Sequence, residues 1–459
     1  MNGNNSRKLI SNLVTFAIGN LGSKLISFIL IPIFTRYLSP DAFGQVDLIT
    51  TTVNMLLPIT ALSIADAVFR FVMDHDANVV SFFSTGISFT MLMCMVAFAV
   101  APLLQYFGVE FPWLIVIYLC LGLIQALLQN FIRGIGLVRL FALNGLLSSI
   151  LLACFGIFEI VYLRNGVQGY LLALILATFF SVLFLISVAH LWKYFDVRLI
   201  SRLVLGKMLL YSVPLIPNAF FWFFTNDASR FFIVYFVGLS ANGIYAVATK
   251  IPTILNVFYT IFSQAWQISA VDELGKKDSP QFFSKVFNLN ISMSVVLIGG
   301  ILVFIQPIMR IYAAKSFFSA WEIIPSLLIA AFFSNLSSFL GTVYLATKRT
   351  SGIMKTTIYG MLVNVVLNLI LIPLLGIQGA GIGAAIGFAF VTFIRLLDTR
   401  KVIHISVNWE NLVISGLFIL TISAVQLLHV MSGALLYVTL FSLELLLVVI
   451  SVFEYKRAA

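Results

Sequence analysis

Charge is the scarcest commodity in this chain. Only 10% of its 459 residues are Asp, Glu, Lys or Arg, whereas a soluble globular protein carries about a quarter. A water-facing surface cannot be built from so few. The 27 Lys and Arg outnumber the 17 Asp and Glu, for a formal charge of +10, but they are scattered in short pieces between apolar segments. No basic run is long enough to track phosphates, so nucleic acid is excluded as a partner. Cysteine is nearly absent: Cys94, Cys120 and Cys154 lie within apolar runs without paired spacing and read as small packing residues, with no disulfide or metal site expected. His75, His190, His404 and His429 fall in loops or at the ends of apolar runs, without a carboxylate cluster. Long polar segments are missing as well. The longest, 193–207 and 272–285, leave no room for a soluble catalytic domain, so no enzyme is expected.

What the chain has instead is hydrocarbon. Hydrophobic residues make up 61% of it, and its mean hydropathy is +1.08. About 20 apolar residues cross a bilayer core of about 30 Å. On that basis the sequence predicts an all-α, polytopic membrane protein with about fourteen spans: 11–34, 43–68, 80–104, 112–132, 141–163, 168–192, 208–233, 243–268, 286–307, 321–345, 354–375, 379–399, 409–428 and 432–453. Twelve or thirteen is the alternative count. Pro32, Pro58, Pro214 and Pro217 predict kinks or partial unwinding. The polar start, Met1 to Ser11, precedes a long segment with no A-x-A end, so the first span reads as an uncleaved anchor.

The cations orient these spans. With both termini cytoplasmic, 20 of the 27 Lys and Arg fall on inside connections and adjoining helix ends, Arg395 among them. Four (Arg36, Arg164, Arg310, Lys315) fall outside and three within spans. That asymmetry follows the positive-inside rule. The chain also repeats itself. Gly166-Val167-Gln168-Gly169 returns 210 residues later as Gly376-Ile377-Gln378-Gly379, with Arg139 on Arg349, Ile160 on Ile370 and Phe180 on Phe390. A weaker echo at 199 sets Lys8 on Lys207, Ala42 on Ala241, Gly44 on Gly243 and Thr50 on Thr249. Duplication within an all-hydrophobic chain is the mark of a transporter. Six helices per repeat imply two lobes related by a pseudo-twofold along the membrane normal. The expected domains are a six-helix lobe over 1–192, a cytoplasmic linker over 193–207, a second six-helix lobe over 208–401, and two further helices over 402–459.

Any chemistry must come from polar groups inside the helices. The cations within spans are Lys24, Arg230 and Lys250, and the acids singled out are Asp47, Asp66, Asp227 and Glu444. A central membrane charge costs about 3 kcal/mol on insertion scales and faces a wet cavity or a partner. Lys24 is the sharpest case, because no acid lies within a turn of it. Asp227 with Arg230 and Asp66 with Arg70 are spaced as self-neutralising pairs, and Asp47, Asp66 and Asp227 are the coupling or ion-pair candidates. Glu444 reads as structural or partner-facing. Polar stripes at helical spacing run through Asn12, Asn20, Lys24 and Ser27, through Gln125, Gln129 and Arg133, and through Thr357, Asn364 and Asn368. The longest joins Tyr245, Thr249, Thr253, Asn256, Thr260, Ser263 and Gln267. Each stripe lines either a hydrated cavity or a contact between helices.

The stretch Ile31-Pro32-Ile33-Phe34-Thr35-Arg36-Tyr37-Leu38-Ser39-Pro40-Asp41-Ala42-Phe43-Gly44 resembles the first-loop signature of the polysaccharide transporter family, the Wzx-like lipid-linked oligosaccharide flippases. Asn364 to Asn368, Pro373, Gly376 and Gly379-Ala380-Gly381-Ile382-Gly383-Ala384-Ala385 resemble the eleventh and twelfth helices of that family and of its wider superfamily of multidrug, oligosaccharidyl-lipid and polysaccharide exporters. The resemblance implies a bacterial inner-membrane protein with two lobes around a V-shaped cavity, working by alternating access. The implied cargo is undecaprenyl-pyrophosphate-linked oligosaccharide. Sugars want hydroxyl and amide partners and a diphosphate wants cations, which makes Lys24, Asn20, Arg36, Arg230, Lys250, Asn256, Gln125, Gln129, Asn364 and Asn368 the candidate substrate-binding set. No cofactor or metal is expected. A proton or sodium gradient or the membrane potential is the candidate energy source, and membrane lipids and a polysaccharide polymerase complex are candidate partners. The alternatives are a multidrug or cation antiporter, or a membrane-embedded polymerase or glycosyltransferase.

Overall fold

The computed structural model describes residues 21–74, 78–347, 350–427 and 433–458. Every regular element among them is helical. Two compact units divide the chain, Met1–Phe223 and Phe224–Ala459.

Unit 1 begins with α1, helical over 21–37 as far as it is described. α2 (Pro40–Thr60) starts where it does because Pro40 fits a first helical position and the Ser39 hydroxyl accepts from Ala42 N at 3.2 Å. Pro58 lies in its last turn. Leu62 and Ser63 then take φ of 49° and 52°, and α3 (Ile64–Val72) departs at 58°. The kink expected from Pro58 is therefore a broken span, completed by two residues in the left-handed region. α4 (Val79–Tyr106), α5 (Pro112–Gly134), α6 (Val138–Gly156) and α7 (Gly166–Val188) follow, α6 ending in a π turn over Ile157–Tyr162. α8 (Arg202–Ser212) and α9 (Leu215–Asn226), whose last turn already belongs to unit 2, are separated by a turn at Pro214. The centre of the unit is α5, whose Leu127, Phe131 and Ile132 are fully buried. They pack with Ile64, Ala67 and Val68 of α3 and with Phe83 of α4, whose ring lies 4.2 Å from that of Phe131. Cys94 and Cys120 are buried, each Sγ 3.7 Å from the other's carbonyl oxygen. Cys154, expected to pack, is exposed.

Unit 2 contains α10 (Ser229–Phe236), α11 (Leu239–Ala248), α12 (Pro252–Glu273), α13 (Ser279–Val303), α14 (Ile305–Tyr312), α15 (Ile324–Ala346), α16 (Thr350–Leu375), α17 (Ile377–Thr399), α18 (Trp409–Leu427) and α19 (Gly433–Ala458). Its aromatic core joins three helices. Trp266 of α12 stacks on Phe339 of α15 at 4.2 Å and donates to Thr342 Oγ1 at 2.7 Å, while Phe287 of α13 meets Phe339 edge-on. In hydrocarbon such close packing and hydrogen bonds, not exclusion of water, hold helices together. α18 and α19 both pack on α13, Asn411 donating to Ser292 Oγ at 3.1 Å and Gln426 to Leu302 O at 2.7 Å.

Both units fasten the segment after their α7 or α17 in the same way. In unit 1, Ser84 Oγ accepts from Asp196 N at 2.9 Å and Ser81 Oγ donates to Leu199 O at 2.9 Å. In unit 2, Ser284 Oγ accepts from Ser406 N and Asn288 Oδ1 from Asn408 N, each at 2.9 Å. Residues 193–207, read from sequence as a linker, thus lie within unit 1 and are tied to α4.

Among the described residues ten helices are long and apolar enough to cross a membrane, or twelve if the bent pairs α2/α3 and α11/α12 each count once. Of the fourteen spans expected, 11–34, 409–428 and 432–453 extend into residues outside the described set.

Candidate functional site

On α1, Lys24 and Arg36 are exposed. Gly22 and Gly145 set α1 against α6, a Cβ on Gly22 coming 2.9 Å from Leu146 and one on Gly145 3.7 Å from Ser23 Oγ. Lys24 is in no ion pair among the described residues, whereas Arg70–Asp74, Arg230–Asp227, Lys276–Glu273 and Lys401–Asp398 are paired. Asp47 is half-buried. Asn12 and Asn20 lie outside the described residues.

Two expected pairings resolve differently. Asp227 does bind Arg230, at 2.5 Å, and Arg230 also lies 5.9 Å from the Tyr245 ring centroid. Arg70, by contrast, binds Asp74 and not Asp66. Asp74 follows the end of α3 in reach of the arginine's outward path, while Asp66 lies within the electrostatic reach of Arg133 on α5. Arg133 itself rests 4.0 Å from the Phe69 ring centroid and donates to Asn130.

The amides sort by what they touch. Gln125 donates to Ser181 Oγ at 2.7 Å and to Ser148 Oγ at 3.2 Å, and Ser181 Oγ donates to Asn144 Oδ1 at 2.9 Å. That network joins α5, α6 and α7. In unit 2, Asn368 Nδ2 donates to Asn364 Oδ1 at 2.7 Å and to Ser229 Oγ at 3.1 Å, with Gly383 and Gly387 of α17 giving the two asparagines room. Gln125, Asn364 and Asn368 therefore join helices. Gln129 and Asn256 are half-buried.

Lys250 stands in the three-residue turn before Pro252, where α11 and α12 meet at 41°. The carbonyl freed there accepts from the Thr253 hydroxyl. Along the stripe beyond, Thr249, Thr260 and Ser263 bond carbonyls of their own helix at 2.7–3.0 Å. Hydroxyls that satisfy themselves in this way do not by themselves mark a cavity.

Two buried charges are absent from the expected set. Arg395 of α17, counted from sequence at a helix end, is 7% exposed. Its Nε donates to Thr356 Oγ1 at 3.0 Å, Nη1 to Ser337 O at 2.9 Å and Nη2 to Thr357 Oγ1 at 3.2 Å, which ties α15, α16 and α17. Glu159 in the π turn is also 7% exposed and accepts from Asn165 Nδ2 at 2.8 Å. Its sequence signal was an acid inside the span 141–163. Apolar space exists as well: α13, α15 and α18 border an open recess of about 230 Å³ lined by Val295, Ile298, Phe332, Leu412, Ile419 and Leu420 among others. No group of three or more His, Cys, Asp or Glu among the described residues is arranged to hold a metal.

Known structures share this arrangement of helices. A lipid II flippase, MurJ, in an inward closed conformation matches with a TM-score of 0.70 at 13% identity, over 97% of this chain and 99% of that one. An inward-facing multidrug resistance MATE transporter of the MOP superfamily matches at 0.66 and 16%, over 84% and 94%. A MOP superfamily transporter from Pyrococcus furiosus matches at 0.59 and 15%, over 84% and 93%. No curated protein sequence matches the chain. The profile of the polysaccharide biosynthesis protein family matches residues 9–267. With more than half its length in that match, the chain belongs to the polysaccharide biosynthesis protein family, and it is a multi-pass membrane protein with the fold of the MOP superfamily transporters.

Proposed function

We propose that the protein is a flippase that carries undecaprenyl-pyrophosphate-linked oligosaccharide repeat units across the bacterial cytoplasmic membrane by alternating access, supplying surface polysaccharide such as O-antigen, capsule or exopolysaccharide. Lys24 is the observation that carries the reading. An exposed ammonium in an apolar helix, in no ion pair among the described residues, has a diphosphate as its natural counterion. Family membership supplies the polysaccharide, and the apolar recess against α18 suits a hydrocarbon chain. In unit 1 the head-group contacts fall on the exposed cations Lys24 and Arg36, since Gln125 is engaged between helices. Both termini are read as cytoplasmic, the energy source as an ion gradient or the membrane potential, and a polysaccharide polymerase as a partner in the membrane.

Depletion of the protein should leave lipid-linked oligosaccharide on the cytoplasmic leaflet while its synthesis continues, as measured by mass spectrometry and leaflet-selective labelling. Surface polymer should disappear. Lys24→Ala should abolish translocation in a normally expressed protein, and Lys24→Arg should keep part of it. Unchanged surface polymer, or loss of resistance to cationic drugs as the whole phenotype, would instead indicate a multidrug or cation antiporter.

A further inference from the structure

Glu444 lies midway along α19, in an apolar stretch where Leu445, Leu446 and Val449 are exposed. Its carboxyl does not point outward. It rests on the backbone of α13 at the Gly299-Gly300 doublet, so closely that a Cβ on Gly299 would overlap Oε2. Oε2 is buried and has no hydrogen-bond partner among the described residues. Among the described residues no ion pair includes Glu444. α13 and α18 are the helices packed against α19. The charged residue of α13 is Lys285, 14 positions from Gly299, or about 21 Å along the helix. That of α18 is Glu410, at its far end from Gln426. On α19 itself the charged positions are Glu454, Lys456 and Arg457, 10, 12 and 13 residues further along, and Ser442 bonds the carbonyl of Val438. Gln426 is a polar side chain that α18 directs at α13, three residues beyond Gly299. Its Nε2 is committed to Leu302 O, and its Oε1 is a second buried acceptor without a donor.

A buried carboxyl oxygen without a donor calls for a hydrogen of its own. An ionised carboxylate without a donor or cation in hydrocarbon would carry a prohibitive desolvation cost. The glycine doublet is what admits the group at all, since any side chain at 299 would expel it. We propose that Glu444 is a proton-binding site built into the α13–α19 contact: the carboxyl is seated on Gly299 as the neutral acid, and it exchanges its proton with water when α19 parts from α13. The exchange is a single O–H bond made or broken, with the proton passing to or from solvent. This deepens the proposed function by naming the proton as the coupling ligand, and it rests on that reading only for its link to transport.

Infrared spectroscopy of the purified full chain tests the protonation without any transport assay. The difference spectrum of wild type minus Glu444→Gln at neutral pH should contain the carbonyl band of a protonated carboxyl, shifted in deuterated water. The paired bands of a carboxylate in its place would overturn the proposal. Glu444→Gln keeps the shape and neutrality of the acid and should fold normally. As a second readout, thermal stability of the wild type should fall as pH rises and the proton is stripped, whereas that of Glu444→Gln should stay flat. Parallel pH curves would also overturn it. If the flippase reading alone fails, the infrared result stands.

Discussion

Units 1 and 2 carry the same fastenings and different interiors. Gly166 and Gly376 open α7 and α17 at φ of 55° and 60°, a left-handed turn that a side chain resists. Three residues on, Gly169 and Gly379 let each helix close against the residues before it: a Cβ on Gly169 would come 3.1 Å from Glu159 O, and one on Gly379 would overlap the carbonyl of Leu371. The Ser84 and Ser284 clasps repeat at the same 2.9 Å. Inside, the correspondence ends. Unit 1 joins its helices through the neutral Gln125, Ser148, Ser181 and Asn144 network. At the offset of 210, Ser181 falls on Val391 and Leu185 on Arg395, so unit 2 is held by a buried guanidinium where unit 1 has a fully buried leucine. The duplication thus preserved backbone geometry, which a fold cannot lose, while the polar glue diverged, because any satisfied network serves equally well in lipid.

The largest test of this contrast is Arg395→Ala. Three charge-assisted hydrogen bonds and the side chain's volume are lost, while Thr356 and Thr357 keep their own-helix acceptors, so a loss of about 3 kcal/mol is expected. Thermal unfolding in detergent should show it, and Leu185→Ala should cost somewhat less. Next come the paired glycines. Gly379→Ala meets unyielding backbone and should cost about 2 to 3 kcal/mol, whereas Gly169→Ala meets mainly the Asn165 and Glu159 side chains and should cost about 1 kcal/mol. Equal losses would mean that the two turns are more alike than their contacts. Gly166→Ala and Gly376→Ala, each strained by φ alone, should both cost about 1 kcal/mol. The smallest effect belongs to the clasps: Ser84→Ala and Ser284→Ala should each cost about 1 kcal/mol or less and agree with one another. Disagreement would show that only one clasp bears strain.

Much of the architecture was legible in advance. Apolar runs of span length became helices, and the repeated Gly-x-x-Gly opens a helix twice with a positive φ at its first glycine. Pro58 announced the break between α2 and α3, though the left-handed pair Leu62 and Ser63 carried no signal of its own. The polar stripes were harder to read. Periodicity places residues on one face but does not say whether that face meets water, a neighbouring helix or its own carbonyls. The Thr249-to-Ser263 stripe bonds its own carbonyls, and Asn364 and Asn368 meet a neighbouring helix and each other.

The sequence alone determined the solvent, because a chain with 10% charge and 61% hydrophobic residues has no stable place but a bilayer. It also determined the duplication and the turn glycines, since these are local demands of backbone and span length. Only the tertiary structure decided which charges are balanced. Arg70 chose Asp74 over Asp66, Arg395 found two threonines and a carbonyl, and Glu444 came to rest on Gly299. Those outcomes depend on which helices become neighbours, and in a low-dielectric interior the neighbour sets the energy of a charge.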